Sequence, residues 1–201
     1  MPRDVEQIEF VGDLSIQDAK VLADLGSKST YILEFGVGGS TQIFAQCNPV
    51  KLVCVETDPA WVTRTTENLS RITSTERVAP VFVPYDLFKH EGCFDLIFVD
   101  GVPDKRLEFA MRAWSILDVG GKMVFHDTRR FEYFREAAWV VQSFFSEVSQ
   151  VEINLGGSNL SIITKCAPVH YENWNLTEDK PMWAYGAADM PEGASLCKII
   201  S

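Results

Sequence analysis

No apolar stretch in the 201-residue chain is long enough to span a bilayer. The opening Met-Pro-Arg-Asp-Val-Glu-Gln also lacks the basic-then-apolar layout of a secretion signal. Thiol chemistry is sparse. Five cysteines (Cys47, Cys54, Cys93, Cys166 and Cys197) are scattered, and none forms a C-x-x-C pair. That pattern argues against a disulfide framework or a zinc site and favours a reducing, cytoplasmic setting. Basic residues are in short supply, 18 Lys and Arg against 28 Asp and Glu, for a formal net charge of −10. A surface of that sign repels phosphate backbones, so nucleic acid is not an expected partner. A membrane is not expected either. Internal repeats and low-complexity segments are missing too.

What remains is an ordinary globular composition, 46% hydrophobic and 23% charged, with enough chain for one substantial core. Strand-like and helix-like patterns alternate along residues 1–165, which predicts a parallel sheet with helices on both faces. Ser15 and Asp18 signal the start of an N-terminal helix that ends near Gly26. Strands are expected at 31–35, 51–56, 78–83, 94–99 and 122–125. Asp58 and Pro59 cap a helix running to about residue 72. Pro103 opens another, and a third is expected from about 130 to 148. Two further strands, 151–155 and 160–164, flank Gly156-Gly157-Ser158-Asn159, a hairpin signal. The fold class predicted is α/β, a doubly wound, mostly parallel seven-stranded sheet closing with a C-terminal antiparallel β-hairpin. Residues 166–201 lose periodicity but carry Tyr171, Trp174, Trp183 and Tyr185, so this tail is expected to pack on the body or on a partner subunit of a homo-oligomer.

The most informative stretch is Tyr31-Ile-Leu-Glu-Phe-Gly-Val-Gly-Gly-Ser-Thr41. An apolar run ends in closely spaced glycines and then a helix start. Glycine lets backbone approach a ligand that a Cβ would push away, and the opening N–H groups of a helix favour a polar or anionic group. This is the layout of a nucleotide-type cofactor site at the first strand of an α/β sheet. A nicotinamide-binding G-x-G-x-x-G would place glycine at position 41, where Thr41 stands.

In this order of elements the chain resembles the class I S-adenosylmethionine-dependent methyltransferases over roughly residues 14–165. Glu34-x-Gly36-x-Gly38 is similar to that family's E/D-x-G-x-G-x-G motif, with Ser40 at the third glycine position. The resemblance implies that Glu34, Gly36, Gly38 and Ser40 form the cofactor loop. It implies that Glu56, ending the second strand, accepts the two ribose hydroxyls of S-adenosylmethionine, and that Asp86 and Leu87 contact the adenine. A carboxylate suits a vicinal diol because it accepts two hydrogen bonds at once.

Candidate catalytic residues stand at the ends of the fourth and fifth strands, where open α/β sheets place ligands: Asp100, His126 and Asp127. Asp100 and Asp127 are similar to the metal-binding pair of catechol-type O-methyltransferases, which implies a divalent, Mg²⁺-like ion held by both. Those enzymes place asparagine after the second aspartate; here it is Thr128. Without a metal, Asp100 contacts the cofactor's amino group and Asp127 or His126 acts as base. Lys105, Arg106, Arg129, Arg130 and Arg135 follow these strands and point either to an anionic acceptor or to ion pairs with Glu108, Glu132 and Glu136. The expected activity is methyl transfer to a small molecule, at oxygen. The alternatives are a non-catalytic binding scaffold on the same fold and an NAD-binding oxidoreductase.

Overall fold

The computed structural model describes Gly12 and residues 14–73, 77–89, 91–129, 138, 141, 149–153 and 157–167. The aromatic tail and most of the helix expected over 130–148 lie outside these residues. Of that helix, Ala138 and Val141 are described, and both are helical and buried.

The chain alternates α1 (Ile16–Ser27), β1 (Tyr31–Phe35), α2 (Gly39–Gln46), β2 (Lys51–Glu56), α3 (Pro59–Ser70), β3 (Val81–Pro84), β4 (Phe94–Val99), α4 (Arg106–Ala113) and β5 (Leu117–Phe125). It closes with β6 (Ser149–Ile153) and β7 (Ser161–Lys165). The seven strands form one sheet in the order β3-β2-β1-β4-β5-β7-β6. Neighbours from β3 to β5 run parallel, whereas β7 is antiparallel to both β5 and β6. That inserted antiparallel strand separates the sheet from the all-parallel 3-2-1-4-5-6 order of dinucleotide-binding domains.

Side chains alternate across each strand, and the two faces build two cores. Leu33, Phe35, Ile97, Val99, Met123 and Phe125 face α4, where Phe109 stacks on Phe35 with centroids 4.8 Å apart. Ile32, Leu52, Leu96, Phe98 and Val124 face the other way, against Leu22 of α1 and Ile43 and Phe44 of α2. Glu34 falls on this second face and is fully buried there. Helix starts follow the expected chemistry. The side chain of Ser15 accepts from the Asp18 N–H at 3.1 Å, and that of Asp58 from the Ala60 N–H at 2.8 Å. β5 begins at Leu117, earlier than expected, because the pairing slips past a register shift between Phe94 and Leu96 on β4. No helix among the described residues is long and apolar enough to cross a membrane.

The ends of β1, β4 and β5 are locked in step. The Gly36 N–H donates to the Val55 carbonyl (2.9 Å), the Asp100 N–H to Phe35 (2.8 Å) and the His126 N–H to Val99 (3.2 Å). Gly36 turns here at φ +85°, and a Cβ on it would lie 2.3 Å from the Asp100 carbonyl oxygen. Both the left-handed backbone and the contact exclude a side chain. Gly36→Ala is therefore expected to lose at least about 2 kcal/mol in urea denaturation. A loss below about 0.5 kcal/mol would show that the turn relaxes freely.

Candidate functional site

Above the C-terminal edge of the parallel strands lies a cavity of about 860 Å³, lined among others by Gly36, Gly38, Glu56, Asp100, His126 and Asp127. The volume suits a cofactor-sized molecule. Its floor is the glycine turn. Gly38 has an extended φ of 170°, and a Cβ added there would meet nothing within 4 Å. The fold therefore does not require glycine at this position, and the open space beside it belongs to the cavity wall. The backbone cradle fits a group that must come close to main chain.

Glu34 does not line the cavity. Its carboxylate lies beneath the loop, accepting from the Ser40 hydroxyl, from Thr41 Oγ1 at 2.7 Å and from the Cys54 thiol at 3.1 Å. It acts through the turn by anchoring the first residues of α2. Burial pushes its pKa up to about 7, with Ser40, Thr41 and Cys54 pulling the other way. Ser40 reaches the cavity wall, but its hydroxyl is committed to Glu34.

Glu56 holds the opposite side of the loop. Oε2 accepts from the Val37 N–H (3.0 Å), and Oε1 from the N–H groups of Thr57 (2.6 Å) and Asp58 (2.9 Å). One carboxylate thus ties the glycine turn to the start of α3 while standing in the cavity wall. Trp61, on the first turn of α3, borders the same wall and is 39% exposed. The structure does not bring Asp86 and Leu87 into this cavity. They sit on a short turn after β3, both exposed, and border none of it.

At the far end, Asp100, His126 and Asp127 converge, each offering a ligand atom within 4.8 Å of the others. Asp100 is held from two sides, with Oδ1 accepting from Arg106 Nη2 at 2.7 Å and Oδ2 lying 3.1 Å from His126 Nδ1. Burial works to raise the Asp100 carboxyl, but His126 and Arg106 outweigh it and hold it below its ordinary 3.8. For the imidazole of His126 the balance is reversed. Burial would lower it, yet hydrogen bonding and charge from Asp100, then Asp127 and Asp18, raise it above 6.5. Asp127 adopts a left-handed φ of 60°, a conformation that non-glycine residues other than Asn and Asp rarely take. Such outliers cluster at functional sites.

Two residues that join this end are not evident from sequence patterning. Asp18 reads as a helix-capping residue, yet its Oδ1 accepts from the Asn159 N–H at 2.6 Å and its Oδ2 lies 3.6 Å from His126 Nε2. Asn159 reads as a turn residue, yet its side-chain amide donates to Asp127 Oδ1 at 2.6 Å and accepts from the Arg129 N–H at 2.7 Å. An asparagine thus meets Asp127 from the β6–β7 hairpin and not from the next position along the chain. Asn159 follows two glycines and a serine, the only local signal it carries, and 32 residues separate it from Asp127.

Arg106 is not a rim residue. It is 2% exposed and donates to the carbonyls of Gly101 (3.2 Å) and His126 (2.7 Å) as well as to Asp100. Lys105 pairs with Glu108 at 3.3 Å. Arg129 borders the cavity, and Arg130 and Arg135 lie outside the described residues.

No family model and no curated protein matches the chain. Solved structures do. A methyltransferase-like protein from Silicibacter pomeroyi superposes with a TM-score of 0.59 at 19% identity, covering 82% of this chain and 93% of that one. The O-methyltransferase TomG from Streptomyces achromogenes, solved in complex with SAM, gives 0.58 at 16% identity over 77% and 82%. An O-methyltransferase from Bacillus cereus in complex with SAH gives 0.55 at 15% identity over 77% and 83%. Element order, antiparallel closing strands and these superpositions agree: the chain has the Rossmann-like fold of the class I methyltransferases.

Proposed function

We propose that this protein transfers a methyl group from S-adenosylmethionine to an oxygen of a small molecule. The observation that carries the reading is a single cavity joining the glycine turn and Glu56 at one end to Asp100, His126 and Asp127 at the other. The cofactor supplies an electrophilic methyl on a sulfonium. The chain's part is to hold donor and acceptor in line, which accounts for much of the rate in such displacements. Gly36 and Gly38 would admit the cofactor against main chain, and Glu56 would take its ribose. With both oxygens already accepting backbone N–H groups, Glu56 is oriented before any sugar arrives, so little ordering is left for binding.

At the acceptor end Asp127 is the group placed to take the proton of a hydroxyl, held in position by the Asn159 amide. His126, held by Asp100 at Nδ1, borders the same space, where its imidazole would stabilise the negative charge that develops on the acceptor oxygen. Carboxylates outnumber cations on the wall, Asp18, Glu56, Asp58, Asp100 and Asp127 against His126 and Arg129. That balance favours a neutral hydroxylated acceptor over an anionic one. It also suits the positive charge of the methyl donor.

Glu56→Ala is expected to weaken S-adenosylhomocysteine binding at least tenfold in calorimetry, about 1.4 kcal/mol. Thermal melts of the same variant separate loss of binding from loss of fold. Unchanged affinity would remove the ribose role.

A further inference from the structure

We infer that Arg106 and His126 together take the place of a divalent cation at the acceptor end of this site. The donor set does not fit a hard ion. Mg²⁺-like ions ask for near-octahedral oxygen donors, and one of the three converging groups here is an imidazole. The two oxygens of Asp100 are already engaged, one by a guanidinium at 2.7 Å and the other by an imidazole nitrogen at 3.1 Å. Arg106 is not a mobile surface cation that could move aside. It is buried and fixed by two backbone carbonyls, one at each strand end.

The imidazole is enclosed in the same way. Nδ1 meets Asp100, and Nε2 faces Asp18 at 3.6 Å and Asp127 at 3.9 Å. With a carboxylate at hydrogen-bond distance from Nδ1 and two more near Nε2, the ring is surrounded by groups that call for its N–H, whereas a metal ligand must offer a lone pair. Three carboxylates from α1 and the ends of β4 and β5 therefore gather around the imidazole, and one of them, Asp100, also meets the buried guanidinium. Imidazole and guanidinium draw Asp18, Asp100 and Asp127 together as an ion would, and they bring α1 and the hairpin onto the sheet through Asn159. The inference concerns the acceptor end of the site proposed above, but it rests on side-chain geometry alone. It stands or falls whether or not S-adenosylmethionine binds.

The test reads metal binding rather than activity. Wild-type protein is titrated with MnCl₂ and followed by the electron-paramagnetic signal of free Mn²⁺ and by thermal melting. The expected result is no saturable binding up to about 1 mM, or binding that persists unchanged in Asp127→Asn and so lies elsewhere. Arg106→Met opens the position, and its apparent Mn²⁺ affinity is expected to rise at least tenfold over wild type, with a Mn²⁺-dependent gain in melting temperature. If Arg106→Met does not fold, His126→Gln serves the same purpose. Saturable one-to-one binding to wild type that Asp127→Asn abolishes would overturn the inference. So would an opened variant, folded and still indifferent to Mn²⁺.

Discussion

Arg106→Met is expected to lose about 3 kcal/mol of stability, the low end of the range for removing one partner of a buried ion pair, because Arg106 is buried and Asp100 half-buried. The reason is what the substitution leaves behind. Asp100 would keep its charge next to a methionine, with only His126 to offset it. The Gly101 and His126 carbonyls would lose their donor in a site the arginine filled almost completely. Methionine approximates the aliphatic stem, so the loss reports the charge and its hydrogen bonds rather than a cavity. For a chain of 201 residues the corresponding fall in melting temperature is on the order of 10 °C. Urea denaturation with an unchanged slope checks it. A loss under about 1 kcal/mol would mean that water replaces the guanidinium, and that Arg106 is no more than a surface cation folded inward. Pairing the change with Asp100→Asn in a double-mutant cycle isolates the coupling, because removing both charges leaves neither stranded.

The second large effect is a pH dependence centred on Glu34. Its pKa in the fold is pushed up to about 7 by burial, against an ordinary 4.5. Below pH 4.5 the carboxyl is protonated in both folded and unfolded chains, and the full contribution to stability is present. As pH rises from 4.5 to 7 the unfolded chain releases this proton while the folded chain keeps it, so stability falls by about 1.4 kcal/mol per unit. Across the window the loss is on the order of 3 kcal/mol, and above pH 7 it is constant. Gln at position 34 keeps the volume and cannot ionise; its one oxygen accepts from one of the Ser40 and Thr41 hydroxyls, and the other hydroxyl turns to accept from the amide NH2. Relative to wild type, Glu34→Gln is therefore expected to gain about 3 kcal/mol between pH 4.5 and pH 8. Asp100 and His126 are present in both proteins, so their own titration cancels in the difference apart from the coupling of Asp100 to Glu34, the smallest of the influences on that carboxyl. Parallel stability curves would show that Glu34 keeps one protonation state throughout.

The glycine loop and the acceptor end were not equally legible. Gly36 was recognisable because a left-handed turn against a neighbouring strand admits no other residue, and that constraint is local to a few positions. Glu56 was legible as the end of β2, a strand whose length and apolar run are visible in one dimension, whereas its ribose role came from the family resemblance. Arg106 misled, since in sequence it is one of several basic residues opening a helix. Its inward course depends on the carbonyls of Gly101 and His126, which only the stacking of β4 beside β5 brings within reach. Asp18 and Asn159 were invisible as site residues for the same reason. Their bond to each other spans 141 positions.

Short-range physics was therefore enough for the number and order of the strands, though not the bounds of β3, β5 and β6, and for the helix caps, the glycine turn and the antiparallel close of the sheet, because periodicity, capping and turn chemistry act over a few residues. Which charges face one another at the acceptor end was decided only when α1, the β4 and β5 ends and the hairpin packed together. Electrostatic pairing depends on distance in space and on burial, and neither is written along the chain.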